Sequence, residues 1–211
     1  MKKILLVLMC AICTLTVSAQ YASDASSSFF STERSDQPVT FGIRGGVNLA
    51  KISESYDGYS ASTKNYTGFN VGINVDIPIM QSLYLQSGLY YTVKGAKIEE
   101  VKCNPSYLEI PVLASYRYNF SDAVQLQINV GPYFAYGLGG KWKNTESDEE
   151  EDFFGDDFKK FDAGLAFGGG FALGHFYVGL NYDLGFTNIM KDGGDGSAKN
   201  RCLSINVGYN F

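Results

Sequence analysis

The last nine residues, Leu203 to Phe211, alternate apolar and small polar side chains without a break. Leu203, Ile205, Val207, Tyr209 and Phe211 fall on one face of a strand, and Ser204, Asn206, Gly208 and Asn210 on the other. Seven earlier stretches carry the same period of two: Phe41–Lys51, Tyr66–Ile77, Leu83–Lys94, Tyr107–Tyr118, Ala123–Leu138, Phe161–Leu173 and Phe176–Thr187. In each, one face is apolar or aromatic, such as Phe69, Val71, Ile73, Val75 and Ile77 in the second. The other face carries Asn, Gln, Asp, Glu, Arg, Tyr or Gly, such as Asn70, Asn74 and Asp76 in the same stretch.

The connections sort by length. Short links, at about 78–82, 119–122 and 174–175, follow the second, fourth and sixth stretches. Long ones, at about 52–65, 95–106, 139–160 and 188–200, follow the odd-numbered stretches. Strict alternation of short turns and long loops is what an outer-membrane barrel requires, with periplasmic turns at one end and external loops at the other. The pattern predicts an all-β fold: an eight-stranded antiparallel transmembrane up-and-down β-barrel over residues 41–211. Lipid would lie outside it and packed polar side chains inside. A soluble lipocalin-like barrel would need the opposite polarity. Pro111 and Pro132 cut across the pattern, since proline removes a ladder donor, so each is expected at a bulge or strand end.

The amino terminus agrees with this destination. Met1-Lys2-Lys3 is a basic n-region, Ile4 to Val17 an apolar core, and Val17-Ser18-Ala19 a small-residue cleavage site. Residues 1–19 are therefore expected to be a signal peptide cleaved after Ala19, and the apolar run is too short for a membrane-spanning helix. Cys10 and Cys13 lack the small residues that a lipoprotein site needs before it. Residues 20–40 are rich in serine and predict a flexible periplasmic segment, with Phe29-Phe30 as its one apolar contact point. Without its leader the chain carries 15 basic and 22 acidic side chains. It has no basic patch in sequence, so nucleic acid is not an expected partner.

The inward faces place charges in the lumen. Lys94, Glu109, Asp162 and Asp183 are expected towards the external end, and Arg44, Asp76 and Arg117 towards the periplasmic end. Buried charges must pair. An eight-stranded barrel is only wide enough for its own side chains, so these predict a salt-bridged plug with at least two cross-lumen ion pairs among Arg44, Glu109, Arg117, Asp162 and Asp183. Cys103 and Cys202 are expected to meet in a disulfide across the external mouth. Trp142, Tyr116, Tyr118, Tyr136 and Tyr182 are expected in aromatic girdles. The acidic run 146–152 with Asp156 and Asp157, and the segment Asp192–Gly196, read as solvated loops without the ligand spacing of a calcium site. His175 is the only histidine and has no nucleophile beside it in sequence. No catalytic, cofactor-binding or metal-binding residues are assigned, and no enzyme activity is expected.

Several stretches together resemble a known family. Phe41-Gly-Ile-Arg-Gly-Gly-Val-Asn-Leu-Ala-Lys51, Tyr107-Leu-Glu-Ile-Pro-Val-Leu113, Val130-Gly-Pro-Tyr-Phe-Ala-Tyr136, Phe161-Asp-Ala-Gly-Leu165 and the terminal aromatic strand resemble the small outer-membrane barrels of Bacteroidetes, the porin-family or PorT-like proteins. The resemblance covers 41–211 and implies a cell-envelope location, with the outer-membrane lipid as surroundings. It implies no catalytic residues. The expected role is structural or interactive through the external loops, with an envelope or extracellular protein as partner. The carboxy-terminal strand is expected to engage the barrel-assembly machinery, and the mature protein to be monomeric. The alternatives are a narrow channel for ions or small solutes and an accessory role in secretion, the latter implied by one relative of that family.

Overall fold

A computed structural model describes residues 35, 37–56, 59–98, 101–121, 123–144, 150–155, 158–191 and 196–211. The expected signal peptide, Phe29-Phe30, most of the 20–40 segment, residues 146–149 of the acidic run, Asp156, Asp157 and Asp192–Asp195 lie outside the described residues. Among the described residues thirteen strands follow in order: β1 Thr40–Tyr56, β2 Tyr59–Ser62, β3 Lys64–Pro78, β4 Leu83–Val93, β5 Ala96–Ile98, β6 Val101–Cys103, β7 Ser106–Ser121, β8 Val124–Gly139, β9 Lys141–Asn144, β10 Glu150–Asp152, β11 Phe161–Leu173, β12 Phe176–Gly185 and β13 Ser197–Asn210.

Eight of these close a ring. The order is β1-β3-β4-β7-β8-β11-β12-β13, and β13 returns to β1, every pair antiparallel. Closure runs from Gly42 opposite Asn210 to Ser55 opposite Ser197, and the Phe211 amide donates to the Phe41 carbonyl at 2.8 Å. No edge of the wall is left unpaired, which is the condition for a sheet to sit in lipid. The burial pattern is inverted relative to a soluble domain. Phe41, Ile43, Val71, Ile73, Ile128, Phe134, Leu180 and Val207 are exposed, whereas Asn48, Asn74, Gln127, Asn129, Asp76 and Asp162 are buried. An exposed apolar belt of this extent belongs in a bilayer.

The sixth predicted strand coincides with β11, and the others shift at their ends. β1 runs on to Tyr56, β13 begins at Ser197 rather than Leu203, and β12 stops at Gly185. The short connections stay short. Between β11 and β12 the turn is Gly174-His175, and Gly174 takes the left-handed conformation (φ 59°) that glycine adopts without strain. The long connections depart further from expectation. Those read as loops contain β2, β5, β6, β9 and β10. β2 is the return arm of a hairpin with β1. β5, β6, β9 and β10 form a second sheet that starts from the top of β3.

The two prolines sit in mid-strand, not at bulges or ends. Pro111 pairs with Tyr133 on β8, while the β4 ladder skips from Ser87–Val112 to Tyr90–Glu109 around it. Pro132 pairs with Leu165 on β11, while the β7 ladder skips from Pro111–Tyr133 to Ala114–Val130. Each missing N–H thus falls in a gap in one ladder, with the register unchanged across it. The bulges lie elsewhere, at Ser106/Tyr107 and Asn119/Ser121. Val93, expected to face lipid, is buried, because the second sheet overhangs it.

A layered lumen under an aromatic cap as candidate functional site

Alternation on the eight wall strands sends one residue in two inward, so the lumen is built from eight strands at once. Towards the short-turn end, Arg117 on β7 pairs with Asp76 on β3 at 2.7 Å, and its guanidinium lies 3.9 Å from the centre of the Tyr84 ring. Gln86 donates to the other Asp76 oxygen at 2.7 Å. Arg44 on β1 reaches Gln86 on β4 at 3.3 Å and Gln127 on β8 at 3.5 Å, and stacks over Tyr177 at 4.0 Å. β1 and β8 are on opposite sides of the ring, so this layer spans the lumen. The Tyr84 hydroxyl also donates to Gln37, bringing the segment before β1 to the short-turn opening.

The layer towards the long-loop end centres on Lys94, 1% exposed. Its ammonium contacts Glu109 at 2.6 Å and Asp183 at 3.3 Å, and lies 4.3 Å from the Tyr133 ring centre. β4, which delivers Lys94, and β12, which carries Asp183, are also opposite one another. Asp162 takes a different solution. It accepts hydrogen bonds from Asn200 Nδ2 at 2.9 Å and the Tyr133 hydroxyl at 3.2 Å. Arg44 and Asp162, expected as ion-pair members, are therefore held by amides, hydroxyls and a ring, and the ion pairs run through Lys94 and Asp76. Between the layers lies a cavity of about 60 Å³, lined by Arg44, Asn70, Gln86, Glu109, Asp183 and Asn206 among others. Its wall mixes these polar groups with Leu113, Ala166 and Phe167, and it has room for water only.

Above the upper layer sits an apolar core that the sequence reading missed. Ile52, Ala96, Cys103, Phe153, Ile189 and Ala198 are buried together, with Trp142, Phe154, Phe158 and Met190 packed against them. Trp142 stacks on Phe153 at 5.2 Å and Phe153 on Phe158 at 4.6 Å. Trp142 is thus a core residue of the cap over the long-loop end, not a girdle residue. Phe154 points into the barrel mouth, edge-on to Tyr107 at 5.5 Å. The tip of its ring abuts Gly137, where a β-carbon would come within 2.3 Å of Cζ. Glycine at 137 is what lets the cap descend into the lumen. The signal available in sequence was the aromatic run Phe153-Phe154 next to an acidic loop, a stretch that period-two reading does not register.

Cys103 and Cys202 are both buried free thiols, so the expected disulfide is not formed. Cys103 belongs to the cap, its thiol donating to the Ala96 carbonyl at 3.6 Å. Cys202 lies in the wall between Ala50 and Asp183, and its sulfur contacts the Ser204 hydroxyl at 3.8 Å. Separate packing environments hold them. Burial pushes the Cys103 thiol up to about 12, so it stays protonated and unreactive in the folded protein. Alkylation of residues 20–211 after unfolding without reductant is expected to add two alkyl groups by mass spectrometry. A chain that takes up none carries the bond.

His175 stacks on Tyr209 at 5.4 Å, and its Nδ1 lies 2.8 Å from the Asn210 carbonyl, in a turn with no nucleophile in contact. Leu203, Ile205, Val207 and Tyr209 form the exposed face of β13, Phe211 just beyond it is exposed as well, and Tyr209 also packs against Phe176 and Phe211. Tyr118 and Tyr136 are exposed on the outer wall, with Tyr116 and Tyr182 half-buried there. Of the acidic run, Glu150–Asp152 form β10, and Glu150 bonds Lys141 and Lys143. Among the described residues no cluster of His, Cys, Asp or Glu is arranged to hold a metal ion, and no helix is long and apolar enough to cross a membrane.

Solved structures similar to this chain include Ail, the attachment invasion locus protein of Yersinia pestis (17% identity, 83% of this chain and 100% of that one, TM-score 0.45). They also include neisserial surface protein A (14%, 83% and 100%, TM-score 0.49) and OprG from Pseudomonas aeruginosa (13%, 85% and 97%, TM-score 0.45). No curated protein matches the chain. A family model described as "Outer membrane protein beta-barrel domain" matches residues 19–191. The closed ring, the lipid-facing belt and that match together establish that the chain belongs to the outer membrane protein β-barrel domain family.

Proposed function

We propose that this outer-membrane protein is a closed, non-enzymatic barrel that works as a scaffold, presenting its external cap to a protein of the envelope or the extracellular space. The observation that carries this reading is the obstruction of the lumen. The Arg44–Asp76–Arg117 layer, the Lys94–Glu109–Asp183 layer and Phe154 lie in series along the axis. A solute path would have to break two layers of buried charge contacts, each costly to open. The narrower kinship with PorT-like barrels of Bacteroidetes, cleavage after Ala19, a periplasmic location for residues 20–40, a monomeric state and engagement of the assembly machinery by β13 belong to the same proposal. They rest on the sequence motifs and on the aromatic terminal face.

Planar-bilayer recording tests the closure. The purified barrel is expected to give no steady single-channel current. A stable conductance would favour the narrow-channel alternative over the scaffold. The interaction role is tested by site-specific photo-crosslinking from the cap in intact cells. Crosslinks to a defined protein, lost when Trp142→Ala and Phe153→Ala dismantle the cap, are the expected result. Crosslinks only to lipid would set the scaffold reading aside.

A further inference from the structure

The overhanging second sheet has two faces of different chemistry. Ala96, Cys103 and Trp142 are cross-strand partners and face the cap core. The opposite face carries a row of lysines. Lys64 on β3 pairs with Lys97 on β5, Lys97 with Lys102 on β6, and Lys102 with Lys143 on β9. Residues directly paired across antiparallel strands point to the same face, so the four side chains stand side by side about 5 Å apart from strand to strand. Like charges placed opposite one another destabilise a sheet. The row ends at Glu150 on β10, which bonds Lys143 and Lys141. Among the described residues, Lys64, Lys97 and Lys102 have no acidic partner, and Lys64 and Lys102 are exposed.

The same face borders a second feature. A groove of about 470 Å³ runs from the lipid-facing wall up to this sheet. Tyr66, Phe69, Tyr91 and Val93 line it, with Asn104 and Lys141 also in its wall. Phe69 and Tyr91 are exposed on the outer wall and pack together at 5.9 Å. Lys141 is two residues before Lys143 on β9 and shares its face. Apolar wall and cationic row thus adjoin at the external end of the barrel. A neutral lipid uses only the apolar half of such a surface, and a free anion only the cationic half.

We propose that this surface binds a phosphorylated glycolipid of the outer leaflet, with its acyl chain along Phe69 and Tyr91 and its head-group phosphate on the row Lys64–Lys97–Lys102. The phosphate supplies a counter-charge that the row lacks among the described residues, and the aromatic groove continues the lipid-facing belt. Lysine ammoniums bind phosphate as point charges, so the row needs charge and spacing but no bidentate geometry.

The test is native mass spectrometry of the full-length barrel in mixed micelles with bis-phosphorylated lipid A. The wild type is expected to retain the lipid. Lys64→Gln/Lys97→Gln/Lys102→Gln is expected to lose affinity by about tenfold or more, three surface charge contacts at the modest end of their range. The matching triple Lys→Arg variant is expected to retain it. Migration of the unheated protein on a denaturing gel reports that each variant is folded. Lipid A stripped of both phosphates should bind wild type and the glutamine variant equally weakly, and Phe69→Ala/Tyr91→Ala should weaken binding with the lysines intact. Equal retention by wild type and the glutamine variant overturns the proposal. So does full displacement by an equimolar soluble polyanion such as inositol hexakisphosphate, which would make the row a site for a free anion.

Discussion

Replacing Lys94 with methionine is expected to destabilise the folded barrel by about 3–5 kcal/mol, the range for breaking a buried ion pair by removing one partner. The size follows from what the lysine leaves behind. Its ammonium is the cation shared by Glu109 and Asp183, with Asp162 held nearby through Tyr133 and Asn200, and the lysine side chain is 1% exposed. Without it, carboxylates face one another in a site of low dielectric with no counter-charge. The effect is a property of the charge set, not of lost packing, and a cycle separates the two. Adding Glu109→Gln and Asp183→Asn to Lys94→Met is expected to restore most of the stability, because amides need no cation. Urea unfolding in lipid vesicles provides the measurement. A Lys94→Met barrel within about 1 kcal/mol of wild type would show that the ammonium is dispensable to this layer.

That layer was partly legible in sequence, and the reason is periodic. Inward positions on the wall strands repeat every second residue, so Lys94, Glu109, Asp162 and Asp183 could be assigned a common end of the lumen from strand direction alone. What alternation does not encode is which groups touch. Arg44 pairs with glutamines and a tyrosine ring because Gln86, Gln127 and Tyr177 reach it. Contact depends on stagger around the ring, a quantity set by eight registers together.

The external cap was illegible for a different reason. β5, β6, β9 and β10 are three or four residues long and contain lysine, glutamate and asparagine, which read as loop. They hold as strands because they pair with one another and cover Phe153, Phe158 and Ile189, a tertiary gain that overrides local propensity. The lysine row has the same origin. Lys64, Lys97, Lys102 and Lys143 lie in four separate strands and meet only through register. Trp142 was misplaced by analogy, since an aromatic residue near the external rim normally reads as a girdle residue. The two prolines were misread by applying a whole-strand rule where a gap in a single ladder suffices.

Val71→Arg is expected to cost about 2–4 kcal/mol in lipid vesicles, the range for a cation at the midplane of a barrel's lipid face. Val71 lies at the centre of β3, which runs from Lys64 to Pro78, and is 53% exposed on the outer wall. Its neighbours across the ladders are Gly45 and Tyr91, so the surface beside it offers no acid to pair with an arginine. Asn70, one residue away, gives the contrast. Its side chain is buried, donates to Asn48 at 2.7 Å and borders the cavity shared with Glu109 and Asp183. An arginine there enters a polar space with carboxylates in reach, and its effect is set by packing and charge balance. The two variants also differ in their dependence on the surroundings. The Val71→Arg penalty should shrink near the membrane interface, so moving the same substitution from position 71 to position 77 is expected to bring it towards zero, because Ile77 lies at the short-turn end of β3. A uniform cost at both positions would mean that the exposed belt is not embedded in hydrocarbon. A neutral Val71→Arg would place lipid on the other face of the strand, against the inward burial of Asn70, Asn74 and Asp76.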